Sequence, residues 1–424
     1  MQQSASFMLV AGEISGDALA AELVRALRQT PAVQARGFAP RFCGAGGPRL
    51  AEAGVELAFD LTRHAVVGLS EVARHYFKFR RFRRRLLELA WQRRPDVIIG
   101  VDFSGFNGWF RHALRRHLHG HRRRFNNWRP RFVQYVSPQV WASRPGRAYR
   151  LATELDLLLC LFPFEPAWYR RHTPKLPVEF VGHPLVDRYP RAKVHDQVAR
   201  PAGAALPGRN VLLLPGSRMS ELRCHLPVML GAAQTLVRLD RERRVPPVSA
   251  EPLRFTLVCP DESLRAVARS ECARVMPGIE IKTGGLAEAL TRATIAMAST
   301  GTVTLECAWF GVPTVALYRT SWPTYLVARP VVTVSHLSMP NLLAGEVLFP
   351  EFIQHRATVA NLAAAAHALL VDETRRDRLR LRLAEVMRQL GPPEAAARAA
   401  AAVARLLPGG EPRAGPDERR ETNQ

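Results

Sequence analysis

Short apolar runs alternate with helical patterns along most of this chain, and this alternation constrains the fold more than any other feature. The runs have the length of strands, as in Phe7–Val10, Val97–Val101 and Val211–Leu214. Strands that alternate with helices predict βαβ units and parallel sheets. The alternation restarts after residues 188–209, which are rich in Pro, Ala and charge. We therefore expect an α/β protein with two Rossmann-like, doubly wound domains that face a central cleft.

The same pattern gives bounds for the parts of the chain. A first domain is expected over residues 1–187 and a second over residues 210–407, with a linker at 188–209 between them. The second domain ends in a helical C-terminal region. Residues 408–424 are rich in Gly, Pro and charge, so we expect a disordered tail. A chain of 424 residues is long enough for two such domains.

Composition excludes several classes of protein. Hydrophobic residues make up 47% of the chain, too many for a disordered protein. No apolar run approaches the roughly 20 residues that a bilayer span needs, and the first residues do not resemble a signal peptide, so we expect a cytoplasmic location. The six cysteines form no CxxC pair. They are expected to be buried free thiols, and we expect neither a metal site nor a cofactor.

The formal net charge of +23 limits the choice of partners. Such a charge fits nucleic acid, an anionic membrane or a phosphorylated ligand. Much of it lies in residues 80–85 and 111–131, the second of which contains Arg122–Arg124 beside Phe125 and Trp128. A general enrichment in arginine, expressed as solvated helix faces, is the alternative explanation.

Two turns in the second half have the pattern of an anion site. Leu212–Arg218 and Ala298–Glu306 each run from an apolar strand through small residues into a helix. Such turns point backbone N–H groups at an anion, and two of them suggest a nucleotide diphosphate. Arg218 can neutralise phosphates, Glu306 can accept hydrogen bonds from a ribose, and Asn341 is expected to offer an exposed amide. Neither turn has the spacing of a P-loop.

Polar residues in the first half suggest catalysis. Asp102 follows an apolar strand, where a carboxylate can accept a proton from a substrate hydroxyl, although an Asp there often only caps a helix. Glu13, Ser15 and Asp17 form a polar cluster on the first strand–helix turn, again with capping as the alternative. His183 precedes the linker and is expected either to titrate in the cleft or to bond to the backbone.

A basic and aromatic segment over residues 77–91 is predicted to be helical. Rings and arginines that suit a membrane surface are Phe77, Phe79, Phe82, Arg83, Arg84 and Trp91. The alternative is an ordinary amphipathic helix with its apolar side packed on the sheet.

Nine short motifs occur together in this chain. They are Ala11–Asp17, Gly46–Arg49, Val67–Val72, Tyr135–Ala142, Leu161–Glu165, Phe180–Pro184, Leu214–Arg218, Ser299–Glu306 and Pro340–Gly345. In number and order they resemble those of the lipid-A-disaccharide synthases, inverting glycosyltransferases of the GT-B fold. The resemblance covers about residues 7–354.

The resemblance implies a reaction and roles for single residues. Diacylglucosamine would pass from UDP-2,3-diacylglucosamine to the 6-hydroxyl of 2,3-diacylglucosamine 1-phosphate, giving a β-1,6-linked disaccharide and UDP. Asp102 would be the general base, and Arg218 would stabilise the departing UDP. The nucleotide site would comprise Gly216, Ser217, Arg218, Thr300, Gly301, Thr302, Glu306 and Asn341. The sugar and acceptor site would comprise Glu13, Ser15 and His183.

The resemblance also implies partners. The protein would bind the anionic inner-membrane surface peripherally through residues 77–91, would not bind nucleic acid, and is compatible with a homodimer.

Two residues depart from the family pattern: Gly105 stands where a second Asp is common, and Ser143 where an aromatic residue often follows. Two alternatives stay open. One is another GT-B enzyme that uses UDP-N-acetylglucosamine, either an epimerase or a polyprenyl-linked transferase, and the other is a basic nucleic-acid-binding protein.

Overall fold

The computed structural model describes residues 4–64, 69–120, 127–190, 209–243 and 252–408. Contacts between residues divide the chain into two compact units. The first unit comprises the chain up to Val140, then Pro145–Asp187, and then the chain from Gly391 onwards. The second comprises Trp141–Arg144 and Arg188–Leu390. Each unit contains one parallel sheet covered by helices.

The first unit is built on a seven-stranded sheet with the order β3-β2-β1-β4-β5-β6-β7. Its strands are β1 Ser6–Ala11, β2 Arg41–Gly46, β3 Glu56–Asp60, β4 Val97–Val101, β5 Arg131–Tyr135, β6 Leu157–Cys160 and β7 Val178–Phe180. All neighbouring pairs are parallel. The strand order reverses between β1 and β4, and ligands bind at such a switch point, beyond the carboxyl ends of the strands.

The second unit repeats this plan with a six-stranded parallel sheet in the order β10-β9-β8-β11-β12-β13. Its strands are β8 Arg209–Leu214, β9 Leu253–Cys259, β10 Glu280–Thr283, β11 Ile295–Ser299, β12 Thr314–Tyr318 and β13 Glu351–Ile353. The switch point lies between β8 and β11. The prediction of an α/β protein with two doubly wound parallel sheets is confirmed.

Helices connect the strands in both units. Those up to residue 188 are α1 Ile14–Gln29, α2 Pro31–Gln34, α3 Pro48–Glu52, α4 Leu69–Arg93, α5 Ser104–Gly120, α6 Arg147–Glu154, α7 Glu165–His172 and α8 Leu185–Arg188. Those that follow are α9 Met219–Arg243, α10 Glu262–Val275, α11 Leu286–Arg292, α12 Thr302–Trp309, α13 Trp322–Ala328, α14 Met339–Ala344, α15 Val359–Val371, α16 Glu373–Met387 and α17 Ala395–Ala404.

Each sheet lies at the centre of its own hydrophobic core. Met8, Ile98 and Leu158 of the first sheet, and Leu213 and Met297 of the second, are buried between sheet and helices. Strands covered on both faces read as continuous apolar runs, which explains why the sequence pattern predicted them.

The cysteines follow the sequence expectation closely. All are free thiols; Cys224 is half-buried and the other five are buried. Burial raises the pKa of Cys43 and of Cys259 to about 11, so these thiols stay protonated and unreactive near neutral pH.

The last helix belongs to the first unit and not, as the sequence predicted, to the second. Residues 210–407 were assigned to one domain, but α17 packs against α1 and belongs to the first unit. The Asp187 carboxylate accepts hydrogen bonds from the N–H groups of Glu394 and Ala395, where α17 begins. Nε of Arg398 donates to the carbonyl of Val181 over 2.8 Å. These partners lie more than two hundred residues earlier, so the local sequence pattern cannot predict the contacts.

Some expectations fall on residues that the structure does not describe. These include residues 191–208 of the expected linker and all of the expected tail except Pro408. Within the described ranges, no helix has both the length and the apolar content needed to cross a membrane.

Candidate active site

Asp102 lies at the carboxyl end of β4 with a constrained backbone. Its φ is 50°, in the left-handed region, and the next residue, Phe103, has a φ of 33°. The Asp102 N–H donates to the carbonyl of Tyr135 over 2.9 Å. Its own carbonyl accepts from the side-chain amides of Asn107 at 3.0 Å and Gln134 at 2.9 Å. Strain of this kind persists only where the surroundings fix it, as these three hydrogen bonds do here.

The turn after β1 lies directly beside Asp102. A Cβ atom at Gly12 would lie 2.1 Å from Cδ1 of Phe103, and one at Gly16 would lie 3.3 Å from Cβ of Asp102. Only glycine at position 12 permits this approach. Glu13, half-buried, and Ser15, exposed, belong to the same turn. The structure thus brings the expected sugar-binding turn and the expected base together in the first unit.

Asp17 has a structural role in this turn. It is buried, and its carboxylate accepts hydrogen bonds from the N–H groups of Gly47 at 2.6 Å, Arg49 at 3.0 Å and Leu50 at 3.3 Å. These groups begin α3, so Asp17 caps a helix that is distant in sequence. The structure therefore supports the capping alternative. Asp17, however, caps α3 and not α1, the helix to which it belongs.

Gly105 is located in the first turn of α5. It is exposed, and a Cβ atom built there would meet nothing within 4 Å. The position that commonly carries Asp in the family therefore has room for that side chain in this chain.

His183 is buried and bonded to the backbone. Its Nδ1 accepts a hydrogen bond from the N–H of Leu185 over 3.1 Å, and its ring lies 5.5 Å from that of Phe162. This geometry corresponds to the backbone-bonded alternative, in which His183 fixes the chain at the start of α8.

In the second unit, the loop of Pro215–Arg218 has the geometry of an anion site. Gly216 has a φ of 122°, and a Cβ atom there would lie 2.4 Å from Oε2 of Glu221. The Ser217 N–H donates to that same carboxylate oxygen over 2.9 Å, and Nη1 of Arg218 lies 3.5 Å from Oε1. A carboxylate of this chain thus already sits where the loop amide and the guanidinium converge.

The second anion-type turn emerges next to the first. Ala298 of β11 is paired with Leu214 of β8, so both strands end at the same edge of the sheet. Gly301 and Thr302, which begin α12, are exposed, and Thr300 is half-buried. The N–H groups at the start of a helix have no partner within the helix and suit an anionic ligand. The sheet therefore brings the two expected phosphate turns together.

Glu306 lies on α12 and is buried. Tyr189 donates its hydroxyl to Oε1 of Glu306 over 3.4 Å, and Nη1 of Arg188 lies 3.7 Å from the same atom. Burial raises the pKa of Glu306, while Arg188 and Tyr189 oppose the shift. These contacts hold the carboxyl group that was expected to bind the ribose.

Asn341 does not offer an exposed amide, and this expectation is wrong. The residue is 0% exposed. Its Nδ2 donates to the Phe349 carbonyl and to Oε1 of Glu351, both over 2.8 Å. Its Oδ1 accepts from the N–H groups of Leu348 at 2.9 Å and Phe349 at 2.8 Å. Because both donors and both acceptor positions are used, the side chain holds the segment before β13 and has no capacity left for a nucleotide.

His225 was missed by the sequence analysis. It is fully buried on α9, with Nδ1 2.7 Å from the carbonyl of Pro215 and Nε2 2.9 Å from the N–H of Arg319. A neutral ring with the proton on Nδ1 satisfies both bonds, because Nδ1 then donates and Nε2 accepts. His225 therefore ties the expected phosphate turn to the chain after β12. A single histidine inside a helical pattern gave no signal of this.

The basic aromatic segment of α4 divides into buried and exposed parts. Phe82 is only 8% exposed and stacks on Phe59 at 4.5 Å, so its expected role as a membrane-facing ring is wrong. Phe79 on the same helix is half-buried and packs against Phe106 of α5, with the ring centroids 5.8 Å apart. Phe77, in contrast, is 78% exposed. Phe79 and Phe82 thus lie on the packed side of α4, as expected for an ordinary amphipathic helix.

The remaining members of that segment are also engaged within the first unit. Trp91 meets the rings of His117 at 4.9 Å and Trp128 at 6.2 Å. The guanidinium of Arg83 lies 3.8 Å from the ring centroid of Trp109, and Arg84 forms an ion pair with Glu88. Residues 65–68 and the side chains of 69–76 lie outside the described part of the structure.

Comparison with known sequences gives the family. The chain matches the family model described as lipid-A-disaccharide synthetase over residues 7–405. It is 38% identical to the lipid-A-disaccharide synthase of Alkalilimnicola ehrlichii, with 89% of this chain and 92% of the relative covered. It is 36% identical to that of Pseudomonas aeruginosa, with 94% and 97% covered.

Solved structures agree on the fold. A putative UDP-N-acetylglucosamine 2-epimerase from Listeria monocytogenes aligns with a TM-score of 0.56 at 15% identity, covering 95% of this chain and 96% of its own. The glycotransferase of kitacinnamycin aligns with a TM-score of 0.56 at 18% identity, covering 96% and 100%. At these identities the likeness concerns the fold alone, and it confirms the expected GT-B type. The chain belongs to the lipid-A-disaccharide synthase family and is a hexosyltransferase.

Proposed function

We propose that this protein transfers 2,3-diacylglucosamine from its UDP conjugate to the 6-hydroxyl of 2,3-diacylglucosamine 1-phosphate. The products are a β-1,6-linked disaccharide 1-phosphate and UDP, with inversion at the anomeric carbon. The observation that carries this proposal is the pair of adjacent turns at the carboxyl edge of the second sheet, with Arg218 beside them, in a chain of this family. Such turns suit the diphosphate of a nucleotide sugar.

The second unit would stabilise the leaving group. As the bond from the anomeric carbon to the diphosphate breaks, negative charge grows on UDP. The backbone N–H groups of the exposed residues Gly301 and Thr302 and the guanidinium of Arg218 are donors of the right kind for that charge. The Ser217 N–H donates to Glu221 and Arg218 pairs with the same carboxylate, so a diphosphate bound at this loop would compete with Glu221 for both donors.

The first unit would activate the acceptor. Asp102 is half-buried, and three hydrogen bonds to its backbone N–H and carbonyl groups fix the backbone beside the turn that carries Glu13 and Ser15. A carboxylate carried on a backbone fixed in this way can take the proton of the acceptor hydroxyl as the oxygen attacks the anomeric carbon. Inversion follows from a single in-line displacement.

The substrates are lipids, so we further propose peripheral contact with the anionic inner-membrane surface. The exposed ring of Phe77 and the arginines of α4 support this contact, as does the net charge of +23. Phe79, Phe82 and Trp91 do not belong to this contact, because they pack within the first unit.

Turnover of defined substrates tests the proposal. Purified protein in detergent micelles should release UDP only when both acylated sugars are present, and mass spectrometry should detect the disaccharide 1-phosphate. Asp102→Asn is expected to lower kcat by about 10²- to 10⁴-fold, the range for loss of a general base, with UDP affinity measured by calorimetry unchanged. Asp377→Asn, an exposed position on α16, is the matched control for loss of a carboxylate.

The outcomes separate the parts of the proposal. Full activity of Asp102→Asn would show that another group is the base. Turnover of non-acylated UDP-N-acetylglucosamine in place of the lipid donor would favour an epimerase or a polyprenyl-linked transferase. Binding to DNA that resists physiological salt, without any turnover, would point to the nucleic-acid alternative.

A further inference from the structure

The helix that follows β12 presents apolar side chains to solvent. On α13, Trp322 is 57% exposed, Leu326 61% and Val327 62%, and Val332 just beyond the helix is 40% exposed. We call these four residues, together with Arg329, the α13 surface. Large apolar side chains grouped in this way mark an interaction site more often than isolated ones do.

Hydrogen bonds hold this segment at both ends, so its exposure is a property of the folded chain. Before α13, the side-chain amide of Gln354 donates to the Thr320 carbonyl over 2.9 Å and accepts from the Thr320 N–H over 3.1 Å. After α13, the Thr333 N–H donates to the Ala142 carbonyl over 2.9 Å, and its hydroxyl donates to the Trp141 carbonyl over 3.0 Å. Because the backbone of this apolar face is already ordered, binding a partner costs little further conformational entropy.

The stretch of sequence that contains this surface carries charge of one sign. No Asp or Glu occurs from residue 307 to residue 345, whereas Arg319 and Arg329 flank α13 on either side. Arg144 is exposed next to Ser143, which pairs with Val332 in an isolated bridge. Tryptophan and aliphatic side chains bordered by arginines are the composition of a segment that lies in a membrane interface.

The surface is joined to the expected phosphate turn through one residue. His225 accepts a hydrogen bond from the Arg319 N–H, and its other ring nitrogen bonds to the Pro215 carbonyl at 2.7 Å. Trp322 follows Arg319 by three residues. A lipid headgroup contacted by α13 would therefore lie close to the part of the second unit that is proposed to hold the donor's diphosphate.

We propose that the α13 surface binds an anionic bilayer, with Trp322, Leu326, Val327 and Val332 inserted among the headgroups and Arg329 on lipid phosphates. This would give the second unit a membrane contact in addition to the one proposed for α4. The location of the contact rests on the proposed function, because a lipid-linked donor must reach the nucleotide site from a membrane. The contact itself rests on exposure and charge.

Vesicle sedimentation tests the proposal with the full chain. The variant Trp322→Ser/Leu326→Ser/Val327→Ser is compared with Val371→Ser/Leu381→Ser, which removes apolar side chains that are 49% and 70% exposed elsewhere on the second unit. On vesicles of equal parts phosphatidylcholine and phosphatidylglycerol, the α13 variant should bind about tenfold or more weakly than the wild type, from the loss of buried apolar area. The control variant should bind like the wild type.

A charge variant keeps the test independent of folding problems. Arg329→Glu retains every apolar residue of the surface and should weaken binding to the phosphatidylglycerol vesicles without changing the melting temperature. Equal vesicle binding by the wild type and both α13 variants would overturn the proposal. So would a wild-type dimer that the triple variant converts to a monomer in sedimentation velocity, because the surface would then contact a second copy.

Turnover in detergent micelles separates this inference from the proposed function. If the wild type and the α13 variant show the same kcat in micelles but differ on vesicles, both proposals stand. If no protein transfers the lipid sugar in micelles while vesicle binding still depends on α13, the proposed function fails and the membrane contact remains.

Discussion

Asp102 illustrates how single residues are fixed in this protein. Its left-handed backbone would relax to an ordinary conformation if nothing held it, and the amides of Asn107 and Gln134 converge on its carbonyl oxygen. Asn107 is buried, and its Nδ2 is also 3.4 Å from the carbonyls of Val10 and Val101. The position of the proposed base therefore depends on a buried neighbour that bonds to its backbone.

The first prediction concerns this neighbour. Asn107→Ala leaves the Asp102 carbonyl with one amide partner fewer and should lower the free energy of unfolding by about 1–3 kcal/mol. Because Asp102 loses a restraint, kcat should fall while the KM for the donor stays the same. Urea denaturation and steady-state kinetics measure the two effects, with Asn361→Ala, an exposed amide on α15, as the control. A fall in stability with unchanged kcat would contradict the positioning role.

The second prediction concerns His225 and pH. Burial lowers its pKa from the ordinary value of 6.5, so the folded protein holds the ring neutral where the unfolded chain already binds a proton. The stabilisation is complete above that ordinary value and is lost as the pH falls from it towards the lower pKa of the folded state. Denaturation at several pH values should show this loss, and His225→Gln should flatten it. An unchanged slope in the variant would assign the pH dependence to other groups.

At the scale of elements, two helix starts lie next to residues with proposed chemical roles. The first turn of α12 borders the expected phosphate site, and that of α5 follows the proposed base. Gly105 weakens the α5 start, because glycine has a low helix propensity and supplies no charge for the helix dipole. The family's usual Asp would reverse both effects.

The third prediction follows from this comparison. Gly105→Asp should raise the free energy of unfolding by about 0.5–1.5 kcal/mol, since it replaces glycine in a helix and places an acid at the positive end. The space around the position is open, so no clash offsets the gain. If Asp102 is the base, kcat should change by less than about twofold, far below the effect of a general base.

Gly120→Asp provides the matched control at the other end of α5. Its Cβ also meets nothing within 4 Å, but the carboxylate there faces the negative end of the helix dipole. Thermal melts should therefore rise for the first variant and not for the second. A large gain in kcat for Gly105→Asp would indicate that a second carboxylate takes part in catalysis.

Elements also show what the sequence could and could not predict. The strands and the paired turns were predictable because buried parallel strands leave unbroken apolar runs and the turns need small residues. The roles of Asn341 and Phe82 were misjudged because polarity and aromatic content do not reveal which way a side chain faces. His225 went unnoticed because its two partners, Pro215 and Arg319, come together only through the sheet.

At the scale of the whole molecule, the first unit takes residues from both ends of the chain. The helix α17 is rich in alanine, with Ala395, Ala399 and Ala400 fully buried, so it can pack closely in that unit, where it lies against α1. Asp187 holds the start of α17 through two backbone N–H groups. The local sequence of residues 395–404 does not indicate which of the two units this helix packs against. The expected domain bounds therefore differ from the observed ones.

The fourth prediction tests this attachment. Asp187→Ala removes the acceptor at the start of α17 and should lower the free energy of unfolding by about 1–2 kcal/mol, as loss of a helix cap does. Asp377→Ala, which breaks an exposed ion pair with Arg380, should cost less than about 1 kcal/mol. Urea titration compares the two variants. Equal costs would show that the Asp187 contacts add nothing beyond a surface pair.

The place of α17 has a consequence for biosynthesis. A ribosome releases residues 188–390 before it makes α17, so every residue of the second unit is available while the first still lacks its last helix. Domains generally fold as units during translation, in the order in which their residues emerge. Here the unit whose first residues emerge earlier is completed later, and the face of α1 that α17 covers stays open to chaperones until α17 has emerged.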